Sequence, residues 1–344
     1  MTMPHQAKKV TVGVDTHGDV HVGAVVDEVG RILGTVEVRS NPKGFRDLER
    51  FALRFGSIDR VGVEGTGAYG AGLTRWLRGR GHTVVEVDRP DRKTRRQQGK
   101  SDPIDACSAA RQVLSGQARG IPKTRDGSVE MIRALRVARR SAVRSRTQAM
   151  NQLHSLVQTA PETLRGKLRS LGANELVATA ARFRTKGIGS VVDATKLALR
   201  ELARRHQALA AEVDRLDPIL DRLVRETAPD LLSVRGVGTD VAGALLVTAG
   251  DNPERLVSEG SFAHLCGVAP IPASSGKTTR HRLNRGGDRQ ANQALWRVVM
   301  VRLSCDKRTQ TYVEKRTREG RTKKEIIRCL KRYVAREVFT LLRT

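Results

Sequence analysis

Short runs of β-branched residues open the chain. Residues 9–16 (KVTVGVDT) and 20–26 (VHVGAVV) are strand-like, and 32–38 form a third run after the turn residues DEVG at 27–30. Residues 41–55 switch to helical spacing, with Phe45, Leu48, Phe51 and Leu53 on or near one face. A buried-type strand is predicted at 60–64, a helix at 68–80 stopped by Gly81, and a further strand at 83–87. A helix follows at 101–114, with Ser101 as its N-cap and Pro103 tolerated in its first turn. The first three strands suit an antiparallel meander, and the later ones join through helical crossovers in an α/β domain.

Residues 128–228 lose the strand signal. Ile132, Leu135, Ala142, Ala149, Leu153 and Leu156 follow a 3-4 repeat whose remaining slots hold Arg139 and Arg146. Leu202, Leu209, Leu216 and Leu223 recur every seven residues, with Val213 and Leu220 between them. Such a seam predicts a coiled coil with a partner helix in the chain or across a dimer. Pro218 lies off the seam and marks a kink site, and GIG at 187–189 marks a turn. Farther on, Gly236 and Gly238 predict a tight turn between two short helices, like a helix-hairpin-helix, whose backbone N–H groups can hold a phosphate. Residues 261–267, 290–303 and the tail from 324 read as helices, and 269–287 as a loop rich in Pro, Ser, Gly and Arg. The expected divisions are an α/β domain at 1–125, a helical coiled-coil region at 126–228 and a mainly α domain at 229–344.

Composition narrows the partners. The 344 residues carry 63 Lys and Arg against 36 Asp and Glu, a net charge of +27. That excess suits a polyanion, because each cation set against a phosphate releases a condensed counterion. A hydrophobic share of 39% with 32 Gly and 11 Pro excludes collagen-like and mostly disordered chains. Six Phe, three Tyr and two Trp are too few for rows of stacked bases, which leaves backbone charge contacts. No run approaches the roughly 18 apolar residues of a membrane span, and the N-terminal residues lack a signal-peptide core. Cys107, Cys266, Cys305 and Cys329 are scattered and read as reduced, buried thiols of a cytoplasmic protein, with no zinc site or disulfide frame.

Four carboxylates stand out. Asp15 and Glu64 end strand runs, and Asp102 and Asp105 lie three apart at a helix start, so both project from one face. Each alone has an ordinary reading, as a turn former or as an acid favouring a helix macrodipole. Asp19, Asp27 and Asp88 are acids in less suitable places. Together the four fall where an RNase H-like topology gathers them, and gathered carboxylates require a divalent cation such as Mg2+ or Mn2+. Two such ions about 3.5–4 Å apart would clamp the attacking and leaving oxygens of a phosphodiester.

A second constellation is Ser274-Ser275-Gly276-Lys277, crowded by Arg280, His281, Arg282, Arg285 and Arg289. A serine beside Gly is commonly just a turn residue. Here the cations could hold a scissile phosphate, and a serine could attack it to form a phosphoserine bond. GKT also resembles the end of a phosphate-binding loop, but the first Gly of that motif is missing. Basic clusters complete the picture: Arg89, Arg92, Lys93, Arg95 and Arg96 precede Asp102, and six Arg lie between Arg133 and Arg146 without one acid. Residues 307–344 hold 13 Lys and Arg against four Glu. A solvated helix face usually mixes signs. Buried seam arginines are costly, which points to a helix lying against nucleic acid through residues such as Arg139 and Arg146.

VGVDTHGDVHVGAVVD, VGVEGTGAYG and GKSDPIDACSAAR resemble the N-terminal DEDD domain of the IS-one-ten-like (IS-eleven-eleven group) insertion-sequence transposases. GVGTDVAGALL and FAHLCGVAPIPASSGKTTRHRLNRGGDRQAN resemble that family's C-terminal domain, so the likeness spans nearly the whole chain in motif order. The resemblance implies a RuvC-like RNase H fold and a metal-binding tetrad of Asp15, Glu64, Asp102 and Asp105. It implies a nucleophilic serine just before Gly276, hence Ser275, with Ser274 as the second candidate. It further implies a homo-oligomer, dimer or tetramer, acting on donor and target DNA in the bacterial cytoplasm at the nucleoid. A structured non-coding bridge RNA would supply the sequence information by base pairing. Lys277, Arg280, Arg282 and Arg285, with Arg92, Lys93, Arg95 and Arg96, are the expected nucleic-acid contacts. The competing readings are a RuvC-like nuclease or junction resolvase that uses water, and a non-catalytic RNA- or DNA-binding protein.

Overall fold

Five apolar runs assemble into one sheet. In the computed structural model, which describes residues 8–88, 101–185, 187–278 and 280–343, these are β1 (Lys9–Thr16), β2 (Val20–Val26), β3 (Ile32–Arg39), β4 (Ser57–Glu64) and β5 (Val84–Val87). They lie in the order β3-β2-β1-β4-β5. β1, β2 and β3 form the antiparallel meander, and β4 and β5 extend the sheet in parallel. One face is covered by α1 (Pro42–Leu53) and α2 (Ala71–Gly79), where Val10, Val12, Val14, Val61 and Val63 meet Phe45, Leu48, Leu73 and Leu77. Asn41 caps α1 by accepting the Gly44 N–H at 2.9 Å.

α3 (Asp102–Leu114) covers the other face. There β1 and β4 offer glycine where their opposite side offers valine. A Cβ on Gly13 would fall 2.1 Å from the Ala106 carbonyl oxygen, and one on Gly62 2.6 Å from Val113 Cγ2. The glycines therefore let the helix sit directly on the strand backbone. Ser101 holds the expected N-cap position, but its side chain makes no cap hydrogen bond.

The chain divides into two compact units, Met1–Thr124 and Arg125–Thr344. In the second, two long helices, α4 (Ser128–Gln158) and α7 (Val191–Thr227), pack against each other. Val129 and Ile132 share a core with Leu220 and Val224, and Leu153 and Val157 share one with Leu199 and Ala203, so the pair is antiparallel. The buried stripe of α7 is Leu199, Ala203, Val213, Leu220 and Val224. The heptad leucines Leu202, Leu209, Leu216 and Leu223 flank it and stay half-buried. α7 runs on through Pro218.

α5 (Glu162–Leu168) and α6 (Ala173–Ala181) close one end of the pair through Leu164, Leu168, Leu176 and Val177. These helices are too short to show periodicity in the sequence. At the other end, α8 (Pro229–Ser233), α9 (Thr239–Ala249), α10 (Glu259–Leu265), α11 (Arg289–Cys305), α12 (Lys307–Arg318) and α13 (Lys323–Leu341) gather around Leu245, Phe262, Leu295 and Val338. The ends of α4 and α7 join this core, which therefore runs across residue 228 without a break. Gly236, at φ +86°, turns the chain between α8 and α9.

Three sequence expectations are corrected. The 269–287 loop contains an antiparallel hairpin of β6 (Ile271–Pro272) and β7 (His281–Arg282). α12 was not foreseen, because KRTQTYVEKRTR offers only Tyr312 and Val313 as an apolar face. Of the four free cysteines, Cys107 and Cys266 are buried as expected, but Cys305 is exposed and Cys329 half-buried. Among the described residues, no helix is long and apolar enough to cross a membrane.

Candidate active site

β1 and β4 are parallel neighbours with Val14 registered on Val63. Asp15 and Glu64 follow these residues and stand side by side toward the carboxyl ends of the two strands. Side chains alternate along a strand. Asp15 therefore shares the face of Gly13, and Glu64 that of Gly62, which is the face α3 covers. The first turn of α3 supplies Asp102 and Asp105. Asp15, Glu64 and Asp105 are buried, with 6%, 9% and 5% of their surface exposed, while the Asp102 side chain is 43% exposed. Thr16 Oγ1 donates to the Glu64 carbonyl oxygen at 2.8 Å and ties the two strand ends together.

One neighbour was missed in the sequence. His17 Nε2 lies 3.2 Å from Asp15 Oδ2 and 3.4 Å from Asp102 Oδ1. One donor atom from each of Asp15, His17 and Asp102 lies within 4.8 Å of the others. The only local signal was the place of His17 one residue past the strand that ends with Asp15-Thr16, next to a candidate acid. By contrast, Asp27 is a turn residue, its Oδ1 accepting the Val29 and Arg31 N–H groups at 3.1 and 2.8 Å.

Burial pushes the Asp15 carboxyl above the usual carboxylate range; His17 pulls it down, while Asp105 and then Asp102 push it up again. A buried group of like charges is relieved by a bound cation. His17 Nε2 is buried without a hydrogen bond of good geometry, although it points between two carboxylates. An orphaned nitrogen among acid oxygens fits a divalent cation, with Asp15, His17 and Asp102 as ligands. Asp105 lies near enough to raise Asp15, and strand register sets Glu64 next to Asp15.

The serine constellation lies on the β6–β7 hairpin. Ser275 and Thr278 exchange backbone hydrogen bonds of 3.2 Å across a turn in which Gly276 has φ +55°. The left-handed conformation explains the glycine. Ser274 Oγ accepts the Arg280 N–H at 3.1 Å and donates to the Arg280 carbonyl at 3.4 Å. Ser274 is thus part of the hairpin, whereas no hydrogen bond among the described residues engages the Ser275 hydroxyl. Lys277, Arg280, Arg282 and Arg285 are exposed around this turn.

The α4 arginines are partly taken up by the fold. Arg133 bonds Glu130, Arg136 bonds Asp240, and Arg139 bonds Asp217. Arg146 is half-buried near His206, whose imidazole is pulled down first by burial and then by Arg146. Arg92, Lys93, Arg95 and Arg96 lie outside the described residues.

Comparison with known proteins places this sequence among insertion-sequence transposases. Residues 12–161, which carry all four acids, match the DEDD-type transposase model of IS110 elements. Residues 228–314, which carry the serine hairpin, match the model described as Transposase IS116/IS110/IS902 family. The chain belongs to the IS110 family of transposases. It is 29% identical over 154 residues to the "Insertion element IS110 uncharacterized 43.6 kDa protein" of Streptomyces coelicolor, covering 44% of this chain and 36% of that protein. It is 25% identical over 183 residues to the "Insertion element IS900 uncharacterized 42 kDa protein" of Mycobacterium paratuberculosis, covering 52% of this chain and 46% of that one. The chain thus spans less than half the length of these curated relatives.

Proposed function

We propose that the chain is a DNA recombinase that cuts and rejoins strands through Ser275, assisted by the acid cluster. The cluster of Asp15, His17 and Asp102, with Asp105 close enough to raise the Asp15 carboxyl, carries this reading. The strand order, with α3 seated on Gly13 and Gly62, supports an RNase H-like, RuvC-like unit. The four acids, with His17, would hold Mg2+ or Mn2+. Such an ion supplies Lewis-acid stabilisation of charge on a phosphodiester.

Ser275 Oγ forms the new bond to phosphorus, and the bond from phosphorus to the 3′-oxygen breaks. The serine proton is lost, the 3′-oxygen gains one, and the 5′-phosphate stays on the serine. A 3′-hydroxyl of another strand reverses the step and conserves the bond energy. The Ser275 hydroxyl, without a hydrogen bond among the described residues, and the bonded Ser274 hydroxyl support this choice of nucleophile. Lys277, Arg280, Arg282 and Arg285 hold the phosphate oxygens. A structured bridge RNA guides the donor and target DNA, and the half-buried leucines of α7 support a homo-oligomeric contact. The setting is the bacterial cytoplasm, at the nucleoid.

Incubation of the full chain with element-end DNA, flanking non-coding RNA and Mg2+ tests the reading on a denaturing gel. Covalent protein–DNA adducts are expected from the wild type and from Ser274→Ala, and none from Ser275→Ala or Asp15→Asn. Cut ends without attached protein would make water the nucleophile and overturn it.

A further inference from the structure

α13 carries two stripes. Ile326, Leu330, Val334 and Val338 turn into the core. Arg328, Arg332 and Arg336, at helical spacing on another side, line a cleft of about 820 Å³. The facing wall is the limb that follows the serine turn, with His281, Arg282, Leu283 and Arg285. Among the described lining residues, eight are Lys or Arg and one, Glu325, is acidic. Glu325 is already committed to capping α13, its Oε2 accepting the Thr322 N–H and hydroxyl at 2.9 and 2.8 Å. Arg332 pairs with Glu259 and Arg316 with Glu319. Arg282, Arg285, Arg321 and Arg328 are exposed and have no carboxylate at ion-pair distance among the described residues.

The cleft also holds a cation on a prepared frame. Lys331 Nζ donates to Asn292 Oδ1 at 2.8 Å, and Asn292 Nδ2 is anchored on the Cys266 and Gly267 carbonyls at 2.9 and 3.1 Å. Among the described residues this half-buried ammonium has only a neutral partner, with donors to spare. Burial and then Arg328 pull its titration down, so an anion in the cleft would satisfy what the protein leaves open.

We infer that this cleft seats the sugar–phosphate backbone of the DNA strand joined to Ser275, an assignment that rests on the function proposed above. One hairpin supplies both the serine turn and the cleft wall, so a strand leaving the serine enters the cleft directly. The wall supplied by α13 lies beyond residue 314, where the family match ends.

Anisotropy titrations of the full chain over a range of salt, with a labelled DNA duplex and an RNA duplex of equal length, test this. The triple variant Arg285→Ala, Arg321→Ala, Arg328→Ala removes exposed side chains that support no core. Its DNA affinity is expected to fall on the order of 100-fold at about 0.1 M salt, and its salt slope to become shallower by about 2 to 3. Arg204→Ala, Arg205→Ala, Arg215→Ala removes as much charge from the exposed face of α7 and is expected to keep the wild-type slope. Ser275→Ala is expected to bind as tightly as wild type. Unchanged DNA binding by the cleft variant, an equal loss in the α7 variant, or a loss confined to RNA would each overturn the assignment. Such a failure leaves the wild-type adducts in place. Absence of adducts from the wild type instead removes the serine reading, and a cleft-specific loss of DNA affinity would still be read.

Discussion

Gly13 and Ala106 meet backbone to backbone: a Cβ on Gly13 would lie 2.1 Å from the Ala106 carbonyl oxygen and 2.2 Å from Ala110 N. That approach sets α3 on β1 and carries Asp105 toward Asp15. Gly13→Ala is therefore expected to lift the helix, at a cost of at least the roughly 1–3 kcal/mol of ordinary overpacking. Thermal melting and Mn2+ titration read both effects. A variant that melts and binds like the wild type would show that the helix is held elsewhere.

His17 sits between Asp15 and Asp102. His17→Ala is expected to weaken Mn2+ binding by at least the roughly 10–100-fold that losing an outer-shell partner costs, and Asp15→Asn by more. Calorimetry on the full chain measures this. Unaltered Mn2+ affinity in His17→Ala would leave the imidazole a bystander.

Asp240 gathers three arginines. Burial alone would raise its carboxyl, but Arg136, Arg297 and Arg139 outweigh burial and hold it below the ordinary value. A carboxyl more acidic in the folded state stabilises fully above its unfolded value near 3.8. That contribution disappears as pH falls through the lower folded value. Urea melts between about pH 5 and about pH 2 should show the loss, and Asp240→Asn should flatten it. The variant should also be less stable at neutral pH by about 3 kcal/mol, because Arg136 is left buried without its charge partner. This is the low end for a broken buried pair, since the Asp240 side chain is 37% exposed. An acid profile unchanged by the substitution would assign the pH dependence to other carboxylates.

Leu220 is buried against α4, whereas Leu209 and Leu216 are half-buried. Leu220→Ala should cost about 2–4 kcal/mol. Leu209→Ala with Leu216→Ala should cost less but shift sedimentation to a smaller species. Sedimentation unchanged by the pair would remove α7 from the proposed homo-oligomeric contact.

Much of the first unit was legible in the chain. Lys9–Thr16 and Val20–Val26 begin and end where alternation and β-branching put them. The local positions of the acids were legible too, Asp15 and Glu64 near strand ends and Asp102 and Asp105 in a first helical turn, because these are local features. His17 was passed over because it lies beyond the strand, where its direction depends on how the chain leaves the sheet. The serine hairpin was hidden by its two-residue strands, whose pairing leaves no hydrophobic period.

The arginines of α4 mark the other limit. Their run contains no acid, yet Arg139 finds Asp217 78 residues onward and Arg136 finds Asp240 104 residues onward.

By itself the sequence determined the strand runs of the first unit, the excess of positive charge and the local placement of the four acids, since each depends on composition or on neighbours within a few residues. Only tertiary structure decided that His17 sits between Asp15 and Asp102, which arginines are neutralised, which face of α7 is buried and which serine hydroxyl, among the described residues, has no hydrogen bond. Those outcomes depend on contacts between distant segments, where one close approach, such as Gly13 on Ala106, sets the geometry of everything beside it.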